Sequence, residues 1–165
     1  MVYVMEIYTD GGCRGNGRPG AIGAAAAVFV PKYGRNTCWT NCLPQYPPPT
    51  SQRAEIQAII VALDQALVLY NELDNDPRLD VTIYSDSRYA IYKWVKNGWI
   101  NSAGNDVANQ DLLKKASDLD DDLRDEGKVE YIWIPREQNQ DADRLCNEVL
   151  DDQSPPSPSS SSSSS

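Results

Sequence analysis

The chain has no histidine, one phenylalanine and two methionines in 165 residues. The missing histidine excludes most. Ser-His-Asp catalysis, Cys-His catalysis and the common zinc sites all need an imidazole as base or ligand. Acid–base or metal chemistry in this chain must therefore rest on carboxylates. Cysteine is sparse as well: Cys13, Cys38, Cys42 and Cys146 are scattered, and no second pair completes a metal site with Cys38-x3-Cys42. No secretory signal precedes them, so they read as reduced thiols of an intracellular protein, in the cytoplasm or nucleus. No apolar run reads as long enough to span a bilayer, and no membrane partner is expected.

Positive charge is also scarce. Fifteen Lys and Arg face twenty-four Asp and Glu, a net charge of −9, which repels nucleic acid in bulk. Part of that charge lies in residues 118–126 and 141–152, leaving the local field elsewhere free to differ. A cluster of catalytic carboxylates would need a divalent cation before any phosphate approached it. The length fits one domain, placed at residues 1–150. Residues 151–165 are acidic, then rich in Pro and Ser, a composition that builds no core and reads as a disordered tail.

Residues 4–16, VMEIYTDGGCRGN, organise the rest. Alternation of apolar and polar residues from Tyr3 to Tyr8 is the period of a half-buried strand. The strand reads as stopping at Asp10, with Gly11 and Gly12 making a sharp turn and leaving backbone open to a ligand. Further strands are read at 21–30, 37–43, 79–85 and 129–134. Residues 46–50 carry three prolines and form a connector. A long, largely buried helix follows over 52–73, capped by Thr50 or Ser51, with Glu55 in its first turn. Arg53 and Gln52 read as surface residues. A short helix is read at 88–95, an amphipathic one with an acidic outer face at 111–124, and a last one at 141–150 with Asp143 in its first turn.

Acidic residues thus stand at two strand ends, Asp10 and Asp86, and near two helix starts, Glu55 and Asp143. Each has a plain explanation: a solvated turn, an N-cap, or a carboxylate favoured by a helix dipole. Together they suggest a shared site, since parallel strands bring their ends to one sheet edge. Four converging carboxylates repel or take up protons. Two Mg²⁺ ions roughly 3.5–4 Å apart would neutralise them and activate water for in-line attack on a phosphodiester, with no histidine needed.

Five segments then carry a resemblance: TDGG (9–12), SQRAEIQA (51–58), YSDSRYA (84–90), NGWINSAGNDVANQDL (97–112) and PREQNQDADRL (135–145). In this order they resemble the successive motifs of the type 1 ribonuclease H family, over about residues 3–149. The resemblance implies an α/β fold of ribonuclease-H-like type, with a mixed five-stranded sheet, its first three strands antiparallel, flanked by helices. It implies a monomeric endonuclease that cuts the RNA strand of RNA/DNA hybrids, leaving 5′-phosphate and 3′-hydroxyl ends, with two Mg²⁺ ions or Mn²⁺ as substitute. Asp10, Glu55, Asp86 and Asp143 would be the catalytic metal ligands. Asn16 and Gln52 would read the hybrid's minor groove, Thr50 and Asn109 would hold a DNA-strand phosphate, and Tyr89 and Trp94 would line the DNA-strand channel.

The family's usual loop histidine before the last Asp is missing, and the PREQNQDAD form resembles histidine-less branches. Product release would then be slower, or assisted by Arg136 or Glu137. The span from Asp86 to Trp99 is shorter than the family's by about two helical turns. Few basic residues line this region, and Pro48 and Pro49 leave the phosphate pocket without a nearby Arg. These departures motivate a different class of function: a catalytically impaired ribonuclease-H-like module for nucleic-acid or protein binding. A third reading keeps the fold but makes it an integrase- or resolvase-like phosphoryl-transfer enzyme.

Overall fold

The computed structural model describes residues 2–95 and 109–153, without the side chains of Lys93 and Trp94. Trp99, the polar stretch 96–108 and the tail from 154 lie outside the described residues. The elements are β1 (Val2–Arg14), β2 (Ile22–Phe29), β3 (Thr37–Cys42), α1 (Ser51–Asn71), β4 (Arg78–Ser85), α2 (Tyr89–Val95), α3 (Gln110–Arg124), β5 (Gly127–Trp133) and α4 (Gln140–Gln153). α2 is a π-helix, and a 3₁₀ turn at Arg136–Gln138 precedes α4.

The strands form one sheet in the order β3-β2-β1-β4-β5. β1, β2 and β3 pair antiparallel, while β1–β4 and β4–β5 pair parallel. Alternation then sorts the side chains. Met5 and Ile7 of β1, with Val81 and Ile83 of β4, face a core filled by Ile56, Ile59, Ile60 and Leu63 of α1 and Leu113, Ala116 and Leu123 of α3. On the other face Ala24 and Ala26 of β2 pack under Cys146 and Leu150 of α4. Small side chains on β2 let α4 sit close to the sheet.

α1 passes a length-and-composition test for a bilayer span, contrary to the reading that no run does. Its place in the fold is that of a core helix, packed on β1 and β2 on one side and α3 on another.

Two boundaries differ most from expectation, the end of β1 and the end of α4. β1 does not stop at Asp10; it runs on to Arg14, paired with β2 through Gly11↔Ala25 and Gly12↔Ala24. The turn is made by Gly15, Gly17 and Gly20, all at positive φ. Gly11 and Gly12 serve close approach instead of turning. A Cβ on Gly11 would lie 2.2 Å from the Ala54 carbonyl carbon and oxygen and 2.4 Å from the Glu55 nitrogen. The bare backbone of β1 is what admits the first turns of α1. At the far end, α4 continues past Leu150 to Gln153, whose amide donates to the Gly23 carbonyl (3.0 Å).

Gly11→Ala should therefore force α1 outward. The expected cost is about 1–3 kcal/mol, as for overpacking elsewhere, read as a lower thermal midpoint by circular dichroism. An unchanged midpoint would mean that the helix is not seated this tightly.

Candidate active site

The site follows from strand register. The parallel ladder between β1 and β4 closes with Thr9 opposite Ser85, and the Thr9 hydroxyl donates to the Tyr84 carbonyl (2.9 Å). The next residues, Asp10 within β1 and Asp86 just past the end of β4, therefore emerge side by side where the ladder between the two strands ends. Glu55 comes from α1, over bare Gly11. The helix begins at Ser51, with the Thr50 hydroxyl accepting from the Arg53 N–H (3.1 Å) as N-cap. No acidic residue falls in that first turn, so a helix-dipole role does not account for Glu55. The backbone N–H of Gly11 donates to its carboxylate. One carboxylate oxygen each from Asp10, Glu55 and Asp86 lies within 4.8 Å of the other two.

Asp143 stands outside that trio but lies near enough to Asp10 to raise its carboxyl. It lies in the first turn of α4, as expected.

The electrostatics show what this crowding costs. Asp10, 7 % exposed, has its carboxyl pushed up to about 8, first by burial and then by the charges of Asp86 and Asp143. Glu55 is also held well above the ordinary carboxylate range, by burial first and then by Asp10 and Asp86. Arg136 opposes both shifts, which places its positive charge within reach of the cluster. Glu55 Oε2 is buried without a hydrogen-bond partner. Crowded carboxylate oxygens, one of them orphaned, form a hard donor set that suits a divalent cation.

Asn139 carries no role in the sequence beyond its place in the 135–145 segment, yet the structure puts it at the centre of the site's support. It is 1 % exposed, and its amide nitrogen donates to the Thr9 carbonyl (2.9 Å) and to Asp86 Oδ2 (3.3 Å). Both partners are acceptors, so the position needs an NH₂ group. A polar residue just before a helix ordinarily reads as a cap, which concealed this role. Asp86 is gripped a second time through its carbonyl, which accepts from the Trp133 indole N–H (3.1 Å). Beneath the acids lies Cys146, buried, its thiol raised to about 12 by burial and by Asp10, Glu55 and Asp143.

The residues expected to touch nucleic acid fall into separate groups. Asn16, Thr50 and Gln52 come together at the start of α1, where Asn16 Oδ1 accepts from the Ser51 N–H (2.8 Å) and Gln52 is exposed. Tyr89 lies on α2, 40 % exposed. Trp94 lies on the same helix, its side chain outside the described residues. Asn109 precedes α3 and is 2 % exposed. Arg53 is not a surface residue: it is buried and makes a bidentate pair with Asp111 of α3 (3.0 and 2.9 Å).

This strand order, with two acids side by side where the ladder between parallel β1 and β4 ends and a third acid from the crossover helix, defines a ribonuclease-H-like domain with a carboxylate centre. Comparison with known proteins gives the family. The RNase H family profile matches residues 3–151. Ribonuclease HI of Haemophilus influenzae is 32 % identical over 152 residues, covering 88 % of this chain and 86 % of that protein. Ribonuclease H of Erythrobacter litoralis is 31 % identical, covering 91 % and 98 %. Among solved structures, RNase H1 of the halophilic archaeon Halobacterium salinarum superposes with a TM-score of 0.65 at 25 % identity, covering 91 % and 99 %. LC11-RNase H1 in complex with an RNA/DNA hybrid gives 0.66 at 22 %, covering 87 % and 94 %, a likeness of fold. The chain belongs to the ribonuclease H family.

Two predictions follow from this geometry. Asp10 binds its proton more tightly folded than unfolded. Its contribution to stability is therefore full below the ordinary carboxylate value of 3.8 and is lost as pH climbs towards 8. In chelator, the thermal midpoint should fall across that window, and an added divalent cation should raise it most at the upper end. A chelated protein that grows steadily more stable over the same span would contradict the assignment. Asn139→Asp would set a carboxylate against Asp86 and the Thr9 carbonyl. Divalent-cation affinity, measured by calorimetry, should drop about 10–100-fold, as when other groups that orient metal ligands are lost; an affinity equal to wild type would remove Asn139 from the site's support.

Proposed function

We propose that this chain is an endonuclease that hydrolyses the RNA strand of RNA/DNA hybrids, leaving 5′-phosphate and 3′-hydroxyl ends. The observation that carries the reading is the convergence of Asp10, Glu55 and Asp86 within 4.8 Å at one sheet edge, in a chain of the ribonuclease H family. Asp10, Glu55, Asp86 and Asp143 would hold two Mg²⁺ ions, with Mn²⁺ able to substitute. Bound there, the ions supply the positive charge that lets a phosphodiester approach and lower the pKa of the attacking water.

The chain's own residues do the rest. Gly11 aims Glu55 by its N–H, and Asn139 fixes Asp86 by its amide. Arg136 brings positive charge to the cluster and would stand in for the absent loop histidine at product release. Asn16 and Gln52 read the hybrid's minor groove, where 2′-hydroxyls distinguish RNA from DNA by contact and shape. Thr50 and Asn109 hold a DNA-strand phosphate, and Tyr89 and Trp94 line the path of that strand. LC11-RNase H1, solved with an RNA/DNA hybrid, supports the choice of substrate. One catalytic domain over residues 1–150, acting as a monomer, completes the proposal. Its four free cysteines suit a reducing cytoplasm or nucleus.

The test is cleavage of an end-labelled hybrid with Mg²⁺ and, separately, with Mn²⁺. Wild-type protein should cut the RNA strand only. Asp10→Asn should fall to background while melting no lower than wild type in chelator, because the change removes a repelling charge. Wild-type protein that binds hybrid tightly and cuts it in neither metal would instead make the domain a binding module.

A further inference from the structure

Four of the nine arginines of this acidic chain are held in ion pairs with carboxylates. Arg14, Arg53, Arg124 and Arg144 pair with Asp151, Asp111, Asp120 and Asp141. Arg88, two residues beyond Asp86, has no carboxylate partner among the described residues. It is exposed, and its guanidinium lies over the Trp133 ring, 4.5 Å from the centroid.

The support under that arginine is rigid. Trp133 ends β5, opposite Ser85 in the parallel ladder, and its indole N–H holds the Asp86 carbonyl. Arg88, Trp133 and the backbone of Asp86 thus move as one body. The exposed guanidinium rests over the ring on one side and keeps N–H donors available to solvent on the other. Those donors, in a fixed fork, match two oxygens of a phosphate. Preorganisation on the ring lowers the entropy lost on contact.

We propose that Arg88, held over the Trp133 ring, grips a backbone phosphate of the nucleic-acid strand that crosses the acid cluster, next to the bond to be cut. This assignment rests on the hybrid-nuclease reading above. It makes Arg88 a substrate-gripping residue outside the carboxylate centre, and it offsets locally the repulsion expected from a net charge of −9.

The experiment measures hybrid binding by fluorescence anisotropy in chelator, where no cleavage occurs, over a series of salt concentrations. Kinetics with Mg²⁺ are measured alongside. Arg88→Gln keeps a planar donor but removes the charge. Binding should weaken severalfold, and the plot of log affinity against log salt should become less steep by roughly 0.7–0.9, the release expected for one phosphate contact. KM should rise with kcat nearly unchanged, and the thermal midpoint should stay at the wild-type value. Arg88→Lys keeps the charge without the fork, so it should restore the salt slope but not the affinity. If Arg88→Gln matches wild type in affinity and slope while wild type binds and cuts hybrid, this proposal alone fails. If Arg88→Lys restores both, the stacked fork is not what grips. If wild type neither binds nor cuts hybrid, the nuclease reading fails first.

Discussion

The ladder between β1 and β4 is the constraint on which the rest depends. It is set by backbone hydrogen bonds and by the alternation that keeps Met5, Ile7, Val81 and Ile83 in the core. A slip of one residue would turn every one of those side chains to the opposite face. Register therefore fixes Asp10 beside Asp86 whether or not their charges favour it. The unfavourable contact persists because the core over-determines it. Burial of each of Ile56, Ile59, Ile60 and Leu63 contributes about 1.5–3 kcal/mol, and these residues seat α1 where Glu55 adds a third acid.

The position of α1 has a second anchor. Arg53, buried beside Glu55 in sequence, reaches Asp111 in the first turn of α3. The guanidinium holds the Asp111 carboxyl below the ordinary range. Removing the acid would take from a buried guanidinium the carboxylate it pairs with, a costly change that ties the orientation of α1 to that of α3. The helix that carries Glu55 is thus fixed by glycine on one side and by an ion pair on the other.

Much of this architecture was legible in the sequence, for identifiable reasons. Period-2 runs marked β1 and β4, the capping Thr50 marked the start of α1, and helical periodicity marked α3. Each acid had a plain local explanation; what stood out was their recurrence at successive strand and helix junctions. What could not be read depended on partners distant in the chain. Gly11-Gly12 had the appearance of a turn, since the helix that forbids a side chain there begins forty residues later. Arg53 looked like a surface residue because Asp111 lies beyond another strand and helix. Asn139 offered no pattern, since its two acceptors, Thr9 and Asp86, are recruited from separate strands. Short-range pattern reveals elements; it does not reveal which polar side chain spans them.

The thiol beneath the acids has a consequence for the protein's chemistry as a whole. Cys146 is shielded by α4 and Ala24 and kept protonated by the negative field above it. A thiol reacts with electrophiles and oxidants through its anion, so the catalytic floor is chemically quiet although it contains sulfur. Cys38 and Cys42, exposed on the edge strand β3, have no such protection. Oxidative damage or a covalent tag will land at the rim of the sheet, remote from the carboxylate centre.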